Sequence, residues 1–219
     1  MPLPCIEVET GADPTFAVIW LHGLGADGHD FEPIVPELVD ASTPLRFVFP
    51  NAPVRPITIN NGMSMRAWYD ISGMDIAQKQ DEVGVRASIG SIEELIDREI
   101  ARGIPSERIF LAGFSQGGAI ALACGVRSTR KLAGIIALST YLPIAEKTDE
   151  ETSDTNRAIP IFMAHGTLDP VVSHTLGEMS RDYLKQRGFA LDWHAYPMAH
   201  QVCMEEIADL KRWIAARVR

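Results

Sequence analysis

Ile109-Phe110-Leu111-Ala112-Gly113-Phe114-Ser115-Gln116-Gly117-Gly118-Ala119-Ile120-Ala121 is the stretch on which the fold turns. Its first four residues read as a buried strand, Gly113 to Gly117 as a turn, and the small apolar run from Ala119 to Cys124 as a buried helix. The turn has the spacing G-x-S-x-G. Between a strand and a helix this spacing makes a bend so tight that the serine must take strained dihedrals. Glycine two residues to either side is required because a Cβ there would collide with the neighbouring strand or helix. The Ser115 hydroxyl is then held above a sheet, at a helix N-terminus whose dipole favours negative charge. A plain helix N-cap serine would explain the pentapeptide alone, but not the strand before it and the small-residue helix after it.

The rest of the chain repeats the strand–helix alternation. Short apolar, β-branched runs recur at 16–21, 45–49, 108–112, 134–138, 159–164 and 189–196. The inner runs are apolar throughout, as in parallel strands covered on both faces. Val85, Ile89, Ile92, Ile96 and Ile100 form one apolar stripe on a helix of about 20 residues. Val172, Leu176, Met179 and Tyr183 mark another helix, closed by Gly188, and Ile207, Leu210, Ile214 and Val218 mark the last. The polar stretch 146–157 reads as a solvated excursion. The pattern predicts an α/β fold with an open, mostly parallel sheet and helices on both faces, its functional groups on loops at the carboxyl ends of the strands.

Composition narrows the function. The 219 residues fit one domain, 1–219, able to bury a core without disulfide or metal. Twenty basic against twenty-nine acidic residues give a net charge of −9, which argues against nucleic acid or an anionic membrane surface as the main partner. No apolar run approaches the roughly 20 residues of a membrane span, so no stable membrane insertion is expected. Cys5, Cys124 and Cys203 are widely spaced and form no CxxC pair, so neither a zinc site nor a disulfide framework is indicated. The N-terminus lacks a basic region followed by an apolar one, which points to a cytoplasmic protein with free thiols.

A serine hydroxyl needs an adjacent base to act as a nucleophile. Proteins built on this elbow order the triad as serine, acid, histidine. Of six histidines, His165, His174, His194 and His200 follow Ser115. His194 lies within a strand pattern, His174 in a helix, and His165 ahead of the expected acid. His200 follows Tyr196-Pro197-Met198-Ala199, in the loop between the last strand and the last helix, where the base belongs. The acid belongs on the loop after the penultimate strand, and His165-Gly166-Thr167-Leu168-Asp169-Pro170 supplies Asp169. Asp before Pro also reads as a helix N-cap with proline at N1, a role compatible with the same position. Two backbone N–H donors are needed for the oxyanion. Gln116, after the nucleophile, offers one. Leu24, in the loop His22-Gly23-Leu24-Gly25 after the strand 16–21, offers the other. The loop's glycines do not have the G-x-G-x-x-G spacing of a dinucleotide site.

Several motifs now stand in one order: His22-Gly23-Leu24-Gly25, Phe49-Pro50-Asn51-Ala52-Pro53, Arg66-Ala67-Trp68-Tyr69-Asp70, Gly113-Phe114-Ser115-Gln116-Gly117-Gly118-Ala119, Tyr141-Leu142-Pro143, His165-Gly166-Thr167-Leu168-Asp169-Pro170-Val171-Val172 and Met198-Ala199-His200. Together they resemble the phospholipase/carboxylesterase family of α/β-hydrolases, which includes bacterial carboxylesterases and acyl-protein thioesterases. The resemblance covers about residues 16 to 216. It implies the α/β-hydrolase fold and hydrolysis of carboxylic esters or thioesters through Ser115, Asp169 and His200, with no metal and no cofactor. It is compatible with a homodimer. One departure is Ser139-Thr140-Tyr141, where the family pattern leads to Ser-Gly-Tyr; it bears on local loop shape.

The segment 55–74 carries Met63, Met65, Trp68 and Met74. Methionine adapts its shape, so Met63, Met65 and Trp68 are the expected substrate-binding residues of an acyl groove; packing of a long loop is the alternative. The expected substrate is a small-molecule ester or thioester of short to medium acyl chain, lipid included. The expected activity is a serine carboxylesterase working through an acyl-enzyme, with an acyl-protein thioesterase or lysophospholipase on the same scaffold as the alternative. A silent binding protein fits poorly, since nucleophile, acid, base and oxyanion donors are all present.

Overall fold

The structure is a computed structural model and describes residues 3–39, 44–73 and 80–218; Met74 lies outside the described residues. The strands are β1 (Cys5–Glu9), β2 (Phe16–Leu21), β3 (Leu45–Pro50), β4 (Val54–Ile57), β5 (Met63–Arg66), β6 (Ile109–Phe114), β7 (Gly134–Leu138), β8 (Ile161–Gly166) and β9 (Leu191–Tyr196). The α-helices are α1 (Val35–Leu38), α2 (Glu82–Ala101), α3 (Gln116–Arg127), α4 (Thr148–Glu151), α5 (His174–Gln186) and α6 (Met204–Ala215).

Seven strands form one sheet in the order β1-β3-β2-β6-β7-β8-β9. All neighbours are parallel except β1, which pairs antiparallel with β3 at the edge. The sheet divides two apolar cores, and the alternation of a strand shows how. Ala17, Ile19 and Leu21 of β2 face the core built with α2 and α3. Phe16, Val18 and Trp20, one residue out of step, face the core built with α1 and α6. Burial on both faces is why β2, β6 and β7 carry no polar side chain along their length. The helix predicted from the 85–100 stripe is α2, capped by the Asp81 carboxylate on the Gly84 N–H. The stretch 146–157 contains α4 and is not wholly solvated, since Thr148 and Asn156 are buried.

The order of connection positions the site. From β2 the chain passes to β3 on one side, whereas from β6 it passes to β7 on the other. The strand order therefore reverses between β2 and β6, and the crevice at their carboxyl ends is where such sheets bind ligands. Leu21, the last residue of β2, pairs with Gly113 of β6. The His22 loop and Ser115 thus leave adjacent strands at the same level.

Two elements differ from the sequence reading. β1 was not anticipated, because an edge strand with partly exposed residues lacks the apolar run of the inner ones. The segment 55–74 is not one loop: β4 and β5 pair as a separate antiparallel hairpin, Val54 opposite Arg66 and Ile57 opposite Met63.

Candidate active site

The elbow is as tight as its glycines require. β6 ends at Phe114 and α3 begins at Gln116, leaving Ser115 alone between them with φ 54° and ψ −122°. A non-glycine residue at positive φ costs about 1–3 kcal/mol and persists only where its surroundings hold it. A Cβ on Gly113 would meet the Gly117 carbonyl carbon at 2.4 Å, and one on Gly117 would meet the Leu21 oxygen at 2.3 Å. The elbow is thus wedged against β2.

Three side chains from three loops converge there. His200 Nε2 lies 2.9 Å from Ser115 Oγ, and His200 Nδ1 lies 2.7 Å from Asp169 Oδ2. A carboxylate accepts, so Nδ1 carries the proton and donates, leaving Nε2 to accept from the serine hydroxyl. The other Asp169 oxygen, Oδ1, accepts from the N–H groups of Val171 at 2.8 Å and Val172 at 2.9 Å. These bonds hold the carboxylate in its turn; the cap of α5 is Ser173, not Asp169. Asp169 is buried and the His200 ring rests on Phe114, centroids 4.7 Å apart.

The remaining histidines are placed elsewhere. His165 is fully buried on β8 and donates from Nε2 to the Val172 carbonyl at 2.9 Å, bracing the Asp169 turn from behind. Burial holds its pKa below the usual imidazole value. His174 begins α5 and His194 sits in β9.

The loop after β2 is anchored by His22. Its Nδ1 lies 2.7 Å from the Gly23 oxygen and therefore donates, while Nε2 accepts from the Ala52 N–H at 3.1 Å. This pairing needs the neutral ring, and burial, with the Arg66 charge adding to it, holds the His22 pKa down. Gly25, at φ 78°, donates its N–H to the Arg66 oxygen at 2.9 Å, which ties the loop to β5. Between these anchors the half-buried Leu24 contributes its N–H to no acceptor among the described residues. The Gln116 N–H is the first of α3 and has no carbonyl a turn behind it.

The side chain of Gln116 does something the sequence did not suggest. Its Oε1 accepts from the Trp68 N–H at 2.9 Å and its Nε2 donates to the Tyr69 oxygen at 2.7 Å, a two-point clamp on residues 48 and 47 positions earlier in the chain. Ser88 Oγ donates to the Trp68 oxygen of the same segment. The Tyr69 and Tyr141 hydroxyls, 2.7 Å apart, close it from the other side. Burial pushes the Tyr141 phenol up to about 12 and that of Tyr69 well above its usual value, so both stay neutral.

Trp68 corrects an expectation. It has no exposed surface, and its indole N–H donates to the His22 oxygen at 2.9 Å. It supports the loop and offers nothing to a substrate in this arrangement. Met65 is half-buried, and its sulfur would lie 3.7 Å from a Cβ on Gly25, so it flanks the Leu24 loop. Met63 is 65% exposed on the outer part of the hairpin. Leu168 and Val171 are exposed apolar residues on either side of Asp169.

The chain is similar to known proteins over nearly its whole length. Residues 3–218 match the family described as Phospholipase/Carboxylesterase. Acyl-protein thioesterase 1 of Neurospora crassa is 41% identical, over 98% of this chain and 92% of that protein. Among solved structures, Arabidopsis thaliana SOBER1 is similar with a TM-score of 0.88 and 32% identity, covering 93% of this chain and 99% of that one. Zea mays acyl-protein thioesterase 2 is similar with a TM-score of 0.88 and 26% identity, covering 99% of each chain.

Proposed function

The chain belongs to the phospholipase/carboxylesterase family of α/β-hydrolases, and from that membership we propose that it hydrolyses carboxylic esters and thioesters through Ser115, His200 and Asp169. The observation that carries this reading is the span of His200, from Ser115 Oγ at 2.9 Å to Asp169 Oδ2 at 2.7 Å. His200 Nε2 takes the Ser115 proton as Oγ attacks the acyl carbon. The negative oxygen that forms is received by the N–H groups of Leu24 and Gln116. The imidazolium, stabilised by Asp169, then gives its proton to the departing alcohol or thiol. An acyl-Ser115 ester remains. Water, deprotonated by the same ring, attacks it and releases the acid. One domain carries every step, and none needs a metal or cofactor, so EDTA should leave the rate unchanged.

The acyl chain is the part of the substrate with apolar cover at hand, from Met65 beside the Leu24 loop and from Leu168 and Val171 around Asp169. Simple esters of short to medium chain fit this reading. A second reading, thioesters on acylated proteins, is favoured by the names of the relatives, and lysophospholipid is a third on the same chemistry. No helix among the described residues is long and apolar enough to cross a membrane. A cytoplasmic place, with the three thiols free, belongs to the same proposal, as does a homodimer.

The test is a panel of p-nitrophenyl esters of increasing length, an S-acylated peptide and a lysophospholipid, run on wild type and Ser115→Ala. Wild type should turn over acyl esters, and Ser115→Ala should lose all but a residue of that activity. Comparable or faster turnover of the S-acylated peptide would favour the thioesterase reading; turnover confined to small esters would favour the carboxylesterase. Full activity in Ser115→Ala would overturn all three readings.

A further inference from the structure

The departure of Ser139-Thr140-Tyr141 from the family pattern has a physical consequence at its middle residue. Thr140 is fully buried, and its Oγ1 lies 2.7 Å from the main-chain oxygen of Ser115. A carbonyl oxygen only accepts, so the threonine hydroxyl donates. The same oxygen also takes the Ala119 N–H at 3.1 Å. That carbonyl is one end of the peptide unit whose other end is the Gln116 N–H. A trans peptide is planar, with its C=O and N–H pointing in opposite directions. Holding the oxygen therefore holds the direction of the N–H. A donor on the oxygen also polarises the amide and strengthens its N–H as a donor in turn.

We infer that Thr140 is a positioning residue for the reaction: through the Ser115 carbonyl, its hydroxyl sets the direction and strength of the Gln116 N–H toward the oxyanion. This rests on the serine-hydrolase reading given above. The local packing is matched to it. A Cβ on Gly118 would come within 2.8 Å of Thr140 Cγ2, so the third glycine of the elbow leaves the space that the threonine methyl fills. Ser139, at φ 47° with its N–H on the Ala164 oxygen at 2.8 Å, turns the chain immediately before Thr140. The Gln116 side chain is already fixed on Trp68 and Tyr69. The peptide plane between Ser115 and Gln116 is held through its oxygen by two donors, the Ala119 N–H of the helix and the Thr140 hydroxyl, and the hydroxyl is the one that comes from outside the helix. Glycine at this position would have no hydroxyl to donate.

The experiment compares Thr140→Ala, Thr140→Ser and Thr140→Cys with wild type. It reads kcat and KM on a p-nitrophenyl ester, and inhibition by a trifluoromethyl ketone, which forms a tetrahedral oxyanion adduct on the nucleophile. Losing an oxyanion donor outright costs about 10²–10³-fold in kcat, so misdirecting one should cost on the order of tenfold. Thr140→Ala should lose that factor in kcat, keep KM within about twofold, and weaken the ketone by the same factor as kcat. Thr140→Ser, which keeps the hydroxyl, should restore both. Thr140→Cys, close to serine in shape but a weak donor, repeats the comparison should the alanine variant fail to fold, and should resemble Thr140→Ala. Equal behaviour of the serine variant and the variants lacking a hydroxyl, or a loss confined to KM, would overturn the inference. Ser115→Ala run alongside separates the two proposals: if it stays active the serine reading falls and this one with it, whereas if it is dead and the Thr140 variants do not differ, only the role of Thr140 falls.

Discussion

Asp169 illustrates how much of the site is decided by single atoms. Oδ1 is occupied by two backbone N–H groups, so Oδ2 alone is left to orient His200. Asp169→Asn keeps the shape but can present an amide N–H to Nδ1, favouring the tautomer that cannot accept the serine proton. The expected result is a fall in kcat on the order of 10³–10⁴-fold with little change in melting temperature; a variant within tenfold of wild type would contradict that role. His22 sets a second residue-scale expectation. Its folded pKa lies below the ordinary imidazole value, so the unfolded chain binds the proton more readily. The stability it contributes is present above about pH 6.5 and is lost as pH falls through its folded pKa. Protonation places a hydrogen on Nε2 against the Ala52 N–H and releases the Leu24 loop. NMR titration should find the His22 ring neutral at pH values where an exposed histidine is already charged. Ser115, Asp169 and His200 were legible because each follows a strand and precedes a turn or helix signal in its own local sequence. The Gln116 clamp and the burial of Trp68 were not, since both depend on partners 46 or more residues away.

At the scale of elements, α6 carries an unusual group in its first turn. Glu206 is fully buried and neither carboxyl oxygen has a hydrogen-bond partner. The Cys203 backbone N–H lies near without closing a hydrogen bond, so burial prevails and pushes the carboxyl up to about 8. Below about pH 4.5 folded and unfolded chains both hold the proton. Between there and about 8 the unfolded chain releases it while the fold keeps it, so stability falls as pH rises, by up to about 1.4 kcal/mol for each pH unit crossed. Glu206→Gln removes this dependence. Its melting temperature should match wild type near pH 5 and exceed it increasingly toward pH 8; parallel curves would show that the carboxyl is not held neutral. The β4–β5 hairpin gives a second element-scale prediction. Each methylene under apolar cover is worth up to about 0.8 kcal/mol, or roughly fourfold in kcat/KM. Met65→Asp should therefore depress octanoyl esters at least tenfold more than acetyl esters. Equal losses would mean that the hairpin only packs the Leu24 loop. The hairpin escaped the sequence reading because each of its strands is only four residues long and largely exposed, and Pro56 interrupts one of them.

For the whole molecule, the sheet does the assembling. Because the strand order reverses between β2 and β6, one crevice receives both the loop that offers Leu24 and the elbow that offers Ser115 and Gln116. β8 and β9 then deliver Asp169 and His200 from the far side of the same edge. The alternation of apolar runs with helix stripes made this arrangement readable, since inner parallel strands and buried helices write their burial into local composition. The edge strand β1 was not readable, for its residues are only half covered. The central claim, that this assembly works through an acyl-Ser115 intermediate, is tested most directly by mass spectrometry of the protein quenched in acid during turnover of a slow p-nitrophenyl ester. The account predicts one added acyl group, on the peptide containing Ser115, formed in the same burst that releases p-nitrophenol and absent from Ser115→Ala. Steady hydrolysis with no adduct, or an adduct on another residue that persists in Ser115→Ala, would contradict it.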